Sequence, residues 1–475
     1  MLRPSKGLSP TLSAFPTEIL AEIFVYCFPL FDDSFPDPDS YVSFITPYPN
    51  LTGPHPRSIE STLGKVCRQW RKALFNTPFL WTTIVLDTHK DNEQYVTRCI
   101  ANSKGRPLDI VIRPWCRDKV RRDFTKVLPL IKTELGRTRI FVAWLHPEEL
   151  EILFSDPIID MPQAKVLDVY CPPHRVFDKE GARYIPSMGY IRADNLMYLA
   201  VYDSDILGNL VVPQTSYGSI RYIYFDCSLH SQSTYMDFLA SCPNVHYLTI
   251  RDHGNRMLQD RSWPTIRYTL PKLTDLRILG EHTIDTVLFF RSLHMPSLQL
   301  VEFGHLPDCN EPTYTFQLFS QLLLEYTKSL EALTLDHNIL PAGLQMVIPV
   351  LGKLDALRIL VIQEVQLPRG ILQALLPLNK WACPLLFSVT FKQVDFEDET
   401  LFDFIDARCL SDAEHQEAQQ KIDLSKMFGC NNDPRGRLTR VVLRRCSFAD
   451  DLLLEGVFRL TRTHSRVVQW TYDLE

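Results

Sequence analysis

The pattern apolar-x-x-apolar-x-apolar recurs along this chain at a near-constant interval, and it limits the possible folds more than any other feature. Its first positions are Leu196, Ile220, Val245, Leu273, Leu298, Leu330, Leu357 and Leu386, spaced 24 to 32 residues apart. A weaker copy begins at Ala164 and a clear one at Leu438, 52 residues after Leu386. Hydrophobic residues are 45% of the chain, so the bare pattern arises by chance about once in eleven starts (roughly 0.45 cubed). The spacing and a recurring proline carry the argument. Pro162, Pro243, Pro271, Pro296 and Pro384 each stand two residues before a first apolar position. Proline disfavours the helical region for its predecessor and so stops a helix. The chain then enters a strand. Helix, stop and strand at a steady interval describe a stacked solenoid, in which neighbours bury the face that no strand buries alone.

The intervening segments support helices. Phe316, Phe319, Leu322, Leu323, Tyr326 and Leu330 keep a helical period, and Ile371, Leu372, Leu375, Leu376 and Leu378 keep it more loosely. Residues 87–163 follow the plan irregularly, with strands expected at Leu108–Ile112 and Ile140–Trp144. Residues 410–435 are polar and read as an insertion before the last clear copy. The expected fold class is α/β: an open solenoid over 87–475, its sheet inside and its helices outside.

A different organisation precedes the repeats. Residues 1–11 read as a flexible start. Pro16 heads a short helix whose apolar stripe is Ile19, Leu20, Ile23, Phe24, Cys27 and Phe28, and Pro29 ends it. Residues 29–58 carry seven prolines and no period, the composition of a loop. A second helix is expected through Leu63, Val66, Cys67, Trp70 and Leu74, with Lys65, Arg68, Gln69 and Lys72 on its solvated face. Pro78 restarts a turn that presents Phe79, Leu80 and Trp81, and a strand follows from Thr83 to Leu86. A unit of this size cannot bury Ile23, Phe24, Trp70 and Trp81 completely, so it needs a partner surface in cis or in trans.

The whole chain has 475 residues, which suggests about three domains. Charged residues are 22% and the net charge is −6, so disorder is excluded and a phosphate-backbone partner is disfavoured. Twelve cysteines lack any C-x-x-C pair, which points to reduced thiols in cytosol or nucleus. The longest apolar run, Ile23 to Phe31, contains Pro29 and is far short of the ~20 residues of a membrane span.

Three segments carry a resemblance. Phe15-Pro16-Thr17-Glu18-Ile19-Leu20-Ala21-Glu22-Ile23-Phe24, then Val66-Cys67-Arg68-Gln69-Trp70-Arg71, then Pro78-Phe79-Leu80-Trp81 together resemble an F-box. The likeness covers residues 12–86, with 29–58 as a Pro-rich insertion. It is greatest to fungal F-box proteins with leucine-rich-type repeats behind. Phe15 replaces the family's usual leucine. The repeats are degenerate: only Asn338 and Cys446 meet the Asn/Cys ninth position of a leucine-rich repeat, so an asparagine ladder is absent.

The resemblance implies a substrate receptor of a cullin-type ubiquitin ligase. The F-box would dock on a Skp-family adaptor, and through it a cullin, while the repeats hold a target protein of unknown identity. The adaptor-binding residues it implies are Pro16, Ile19, Leu20, Ile23, Val66, Cys67, Trp70, Leu80 and Trp81. The same side chains also suit the internal core of a small helical cap. Such a receptor performs no covalent chemistry and needs no cofactor; it raises the target's effective concentration near a conjugating enzyme.

Alternate residues of each strand share a face. Opposite the core, the copies from Ala164 to Val245 place Tyr170, Tyr198, Tyr202, Tyr222, Tyr224 and Tyr247, a candidate target-binding patch, since tyrosine joins apolar area to a polar tip. Tyrosine is also a good strand former, and stacking of these residues on each other or on an early loop is the plainer reading. No nucleotide-binding, nucleophile-elbow or H-E-x-x-H motif occurs, and His and Cys lack zinc-ligand spacing. Asp203 with Asp205, the acidic run Asp395 to Glu399, and the basic run Arg117 to Lys126 read as loop or solvated-helix charge. Two alternatives stay open: a non-degradative interaction scaffold with an F-box-like fold, and an enzyme on a β/α barrel, which eight strands closing into a ring would support.

Overall fold

The structure is a computed structural model. It describes residues 16–26, 62–86, 92–112, 125–170, 190–202, 217–227, 232–253, 267–281, 289–304, 312–336, 347, 349–363, 367, 369–375, 383–396, 400–408, 438–448, 455–456, 458, 462 and 467–471. The expected flexible start, the 29–58 insertion and the 410–435 insertion lie outside these residues. The chain divides into two compact units, Met1–Ile220 and Arg221–Glu475.

The first unit opens with two helices, α1 (Thr17–Tyr26) and α2 (Arg68–Asn76), and a single 3-10 turn, Pro78–Trp81. Five parallel strands follow in chain order: β1 (Thr83–Leu86), β2 (Leu108–Ile112), β3 (Thr138–Trp144), β4 (Val166–Tyr170) and β5 (Tyr198–Val201). Helices α3 (Asn92–Asn102), α4 (Leu128–Lys132) and α5 (Pro147–Phe154) alternate with them. Because β1 pairs with β2, the helical segment runs into the sheet without a break at residue 86.

The second unit holds nine parallel strands, again in chain order: β6 (Tyr222–Cys227), β7 (Tyr247–His253), β8 (Asp275–Glu281), β9 (Leu300–Gly304), β10 (Ala332–Asp336), β11 (Ile359–Gln363), β12 (Ser388–Lys392), β13 (Arg440–Arg444) and β14 (Val468–Thr471). The first and last of these do not pair, so this sheet is not a closed barrel. Its described helices are α6 (Gln232–Ala240), α7 (Pro312–Glu325), α8 (Arg369–Ala374) and α9 (Thr400–Arg408). Phe319, Leu322, Leu323 and Tyr326 of the α7 region are buried, as the helical period requires. Short ribbons also occur among the described residues of this unit. Tyr268–Thr269 pairs with Leu293–His294, and Asp395–Phe396 with Ser447–Phe448, as short parallel ribbons.

The repeat phase is the same throughout. From Ala164 to Leu438, every strand begins two residues after the first apolar position of its copy. All three apolar positions of each copy are at most 4% exposed. A single carbonyl just before the strand accepts two N–H groups from the next copy. Within the first unit Lys165 takes Met197 and Tyr198; within the second Arg221 takes His246 and Tyr247, Thr274 takes Gln299 and Leu300, and Phe387 takes Thr439 and Arg440, at 2.8–3.1 Å. Both lone pairs of each carbonyl are used, which satisfies the N–H groups at the strand entrance. The Pro-x turns also connect copies: Asn195 Nδ2 donates to the Pro162 carbonyl at 2.8 Å, and Ser297 Oγ to that of Pro271 at 2.7 Å.

The two units bury their strands differently. In the first, β2, β4 and β5 are buried on both faces, save Tyr170, which is half-buried. Burial on both faces removes the alternation of apolar and polar residues that marks a half-buried strand, as in Ile110, Val111 and Ile112 of β2. In the second unit, β11 and β13 alternate, with Leu360, Ile362, Val441 and Leu443 inside and their neighbours partly open. Among the described residues no helix is long and apolar enough to cross a membrane.

Candidate functional site

The structure divides the nine candidate docking residues into three groups. Leu20, Leu80 and Trp81 are internal. Trp81 donates its indole N–H to the Leu74 carbonyl at 3.0 Å and stacks on Phe75, centroids 5.1 Å apart. Pro16, Ile19, Ile23 and Val66 are exposed: Ile19 by 46%, Ile23 by 40% and Val66 by 48%. Cys67 and Trp70 are half-buried.

The expected second helix is broken. Residues 64–66 form a turn, and Cys67, in extended backbone, caps α2 by accepting the Trp70 N–H on its Sγ at 3.5 Å. The thiol thus takes one of the N–H groups that a helix start leaves unsatisfied. Arg71 Nε bonds the Gly64 carbonyl at 2.9 Å and holds the turn against the helix. Trp70 packs on Phe24, and its indole N–H has no hydrogen-bond partner among the described residues.

Helix α1 therefore has two apolar sides. Leu20 and Phe24 are completely buried, while Ile19 and Ile23, one turn apart on the neighbouring side, face solvent beside Glu18 and Glu22. An amphipathic surface helix has one apolar stripe and a polar remainder. This helix instead leaves Ile19 and Ile23 open to solvent beside its buried side.

The six tyrosines fall into two groups, one in each unit. In the first, Tyr198 is buried, whereas Tyr170 and Tyr202 are half-buried. Tyr170 lies between Trp144 at 4.2 Å and Tyr202 at 4.9 Å, the latter edge-on. Trp144 belongs to this cluster and was not among the expected residues. Its signal was present: Ile140, Val142 and Trp144 alternate along β3, and the β3–β4 register sets Trp144 beside Tyr170. Asp168 is buried in the same stretch. Burial pushes its carboxyl up to about 7, against the pull of a hydrogen bond with Tyr202. In the second unit, Tyr224 is buried, and half-buried Tyr222 and Tyr247 stack at 4.5 Å with planes 6° apart.

Two further charge pairs lie on these sheets. Arg139 grips buried Asp109 with two bonds, at 2.9 and 2.7 Å, and Arg277 pairs with Glu302 at 3.4 Å. Asp395 accepts a hydrogen bond from Ser447, its partner in the short ribbon. Asp203, Asp205, the residues Glu397 to Glu399 and Arg117 to Arg122 lie outside the described residues. No cluster of three or more His, Cys, Asp or Glu that could hold a metal occurs among the described residues.

The ninth position has one working example. Cys446 Sγ donates to the Phe391 carbonyl of the preceding copy at 3.4 Å. Asn338 lies outside the described residues.

No protein-family model matches this chain, and no curated protein is significantly similar to it.

Proposed function

We propose that this chain is the substrate-recognition subunit of a cullin-type ubiquitin ligase, with residues 12–86 acting as an F-box. The observation that carries the proposal is the exposed apolar side of α1. Ile19 and Ile23 stand open while Leu20 and Phe24 anchor the helix from behind, and Val66 adds a third exposed apolar side chain in the same helical segment. Docking of a Skp-family adaptor on these residues removes apolar area from water, at about 25 cal/mol per Å². Leu20, Leu80 and Trp81 then act as the frame that presents the docking side chains. The repeats hold the target. Trp144, Tyr170 and Tyr202 in the first unit, and Tyr222 and Tyr247 in the second, are amphipathic aromatic surfaces of the kind that anchor protein partners. The chain contributes position rather than bond chemistry, by concentrating the target near a conjugating enzyme.

The test is affinity purification of the tagged chain from cells with and without a proteasome inhibitor, followed by mass spectrometry. Adaptor and cullin should co-purify in both states, and the target should accumulate with the inhibitor. Recovery of the adaptor without a cullin, with no protein enriched by the inhibitor, points instead to a non-degradative scaffold.

A further inference from the structure

The chain enters α2 through a turn that displays Val66. The Val66 N–H donates to the Leu63 carbonyl at 3.2 Å and closes the turn. The Gly64 carbonyl in its middle accepts Arg71 Nε at 2.9 Å. Cys67 then leaves the turn in extended backbone and accepts the Trp70 N–H on Sγ at 3.5 Å. Its carbonyl accepts the Arg71 N–H at 3.1 Å, the first bond of the helix. Arg71 thus holds the turn twice, through its main chain and through its side chain. Val66 sits between these anchors and is 48% exposed.

The same bonds tie the turn to α1. Trp70, whose N–H the thiol accepts, packs its ring on Phe24 with centroids 5.1 Å apart. The place of Val66 relative to Ile19 and Ile23 therefore depends on the first turn of α2 keeping this shape. A turn without such bonds samples many conformations, and ordering it on docking costs affinity.

We infer that Cys67 and Arg71 are positioning residues for docking: they fix the 63–66 turn and through it Val66, and their own side chains do not meet the partner. The inference rests on the reading of residues 12–86 as the adaptor-docking segment. It gives Cys67, which the resemblance groups with the contacts, a different role. The two roles make opposite demands on position 67. A cap needs an acceptor, so serine serves at least as well as cysteine and alanine does not. A thiol packed against an apolar partner surface behaves as a small hydrophobe, so alanine replaces it better than serine, whose hydroxyl would be desolvated.

The experiment is calorimetric titration of a purified Skp-family adaptor into the full chain carrying Cys67→Ser, Cys67→Ala, Arg71→Gln or Val66→Ala. Amide hydrogen exchange of residues 62–71 is measured on each free protein. Cys67→Ser should bind as wild type does. Cys67→Ala and Arg71→Gln should each weaken binding about three- to tenfold and speed exchange at Val66 and Trp70. The loss should travel through Val66: in the Val66→Ala background, Arg71→Gln should change affinity by less than about twofold. Unchanged affinity in both Cys67→Ala and Arg71→Gln, or Cys67→Ser weaker than Cys67→Ala, overturns the inference. So does a full, additive loss from Arg71→Gln in the Val66→Ala chain, or a loss in Arg71→Gln with unchanged exchange, which marks a direct guanidinium contact. If Arg71→Gln fails to fold by circular dichroism, the two Cys67 variants decide. Failure of the wild-type chain to bind the adaptor rejects the ligase reading, and the exchange series then decides separately whether the two residues hold the turn.

Discussion

Phe24 and Trp70 meet with ring centroids 5.1 Å apart, and this contact fixes which side of α1 turns inward. Leu20, one turn earlier, goes in with Phe24, and Ile19 and Ile23 are left outside. Structural and proposed docking roles thus fall on adjacent residues of one helix. Phe24→Ala should cost about 3–5 kcal/mol of local stability by opening a cavity. Ile19→Asp and Ile23→Asp should each change stability by about 0.5 kcal/mol or less. Amide hydrogen exchange across Thr17–Tyr26 and Arg68–Asn76 reads the difference: fast in Phe24→Ala and near wild type in the two aspartate variants.

Thiol reactivity should follow burial. Cys242 and Cys383 are buried, and desolvation pushes both thiols up to about 12; Cys446 is pushed to about 11 by the same cause. Only the thiolate is strongly nucleophilic. Peptide mapping after a brief maleimide pulse at neutral pH should find Cys67, which is half-buried, labelled ahead of these three. Their modification should require denaturant.

The phase of the fold was legible because proline and the apolar triplet act locally. A Pro-x turn stops one element and an alternating triplet starts the next, wherever the copy lies. What covers each face was not legible. Tyr198 and Tyr224 keep the alternation of a surface row, yet both are buried. Periodicity assigns a side chain to a face but carries no information on what packs over that face. Leu20 and Trp81 make the same point in the helical segment, where one apolar stripe proved to be two sides with different fates. The break at Cys67 escaped for another reason. A cysteine that caps a helix through its sulfur has no compositional signal, unlike the Ser, Thr, Asp or Asn usual at that position.

Asp168 makes stability depend on pH. Its carboxyl holds a proton more tightly in the folded chain, at about 7, than at its ordinary 3.8. The stabilising contribution of that proton is complete below about pH 4. It declines as pH rises towards 7, by up to about 1.4 kcal/mol per pH unit, and levels off above. Asp168→Asn keeps the shape and an acceptor for Tyr202 without the charge. Its melting temperature should match wild type near pH 4 and exceed it by a growing margin up to pH 7. Thermal melts of the two proteins across that range check it, and a constant difference would show that the carboxyl does not titrate there.

Breaking the ninth-position bond should have a modest, local cost. Cys446→Ala removes the donor to the Phe391 carbonyl, and the loss should be about 1 kcal/mol. Cys446→Ser should retain part of it. Chemical denaturation with amide exchange at Phe391 and Arg444–Ser447 separates a local loosening from a global one.

The most direct test is calorimetric titration of the purified chain with a purified Skp-family adaptor from the same source. Wild type should bind in a one-to-one complex, and Ile19→Asp/Ile23→Asp should lose about 100-fold or more in affinity while its circular dichroism melt is unchanged. No heat of binding with wild type, or equal affinity for the double variant, would contradict the account.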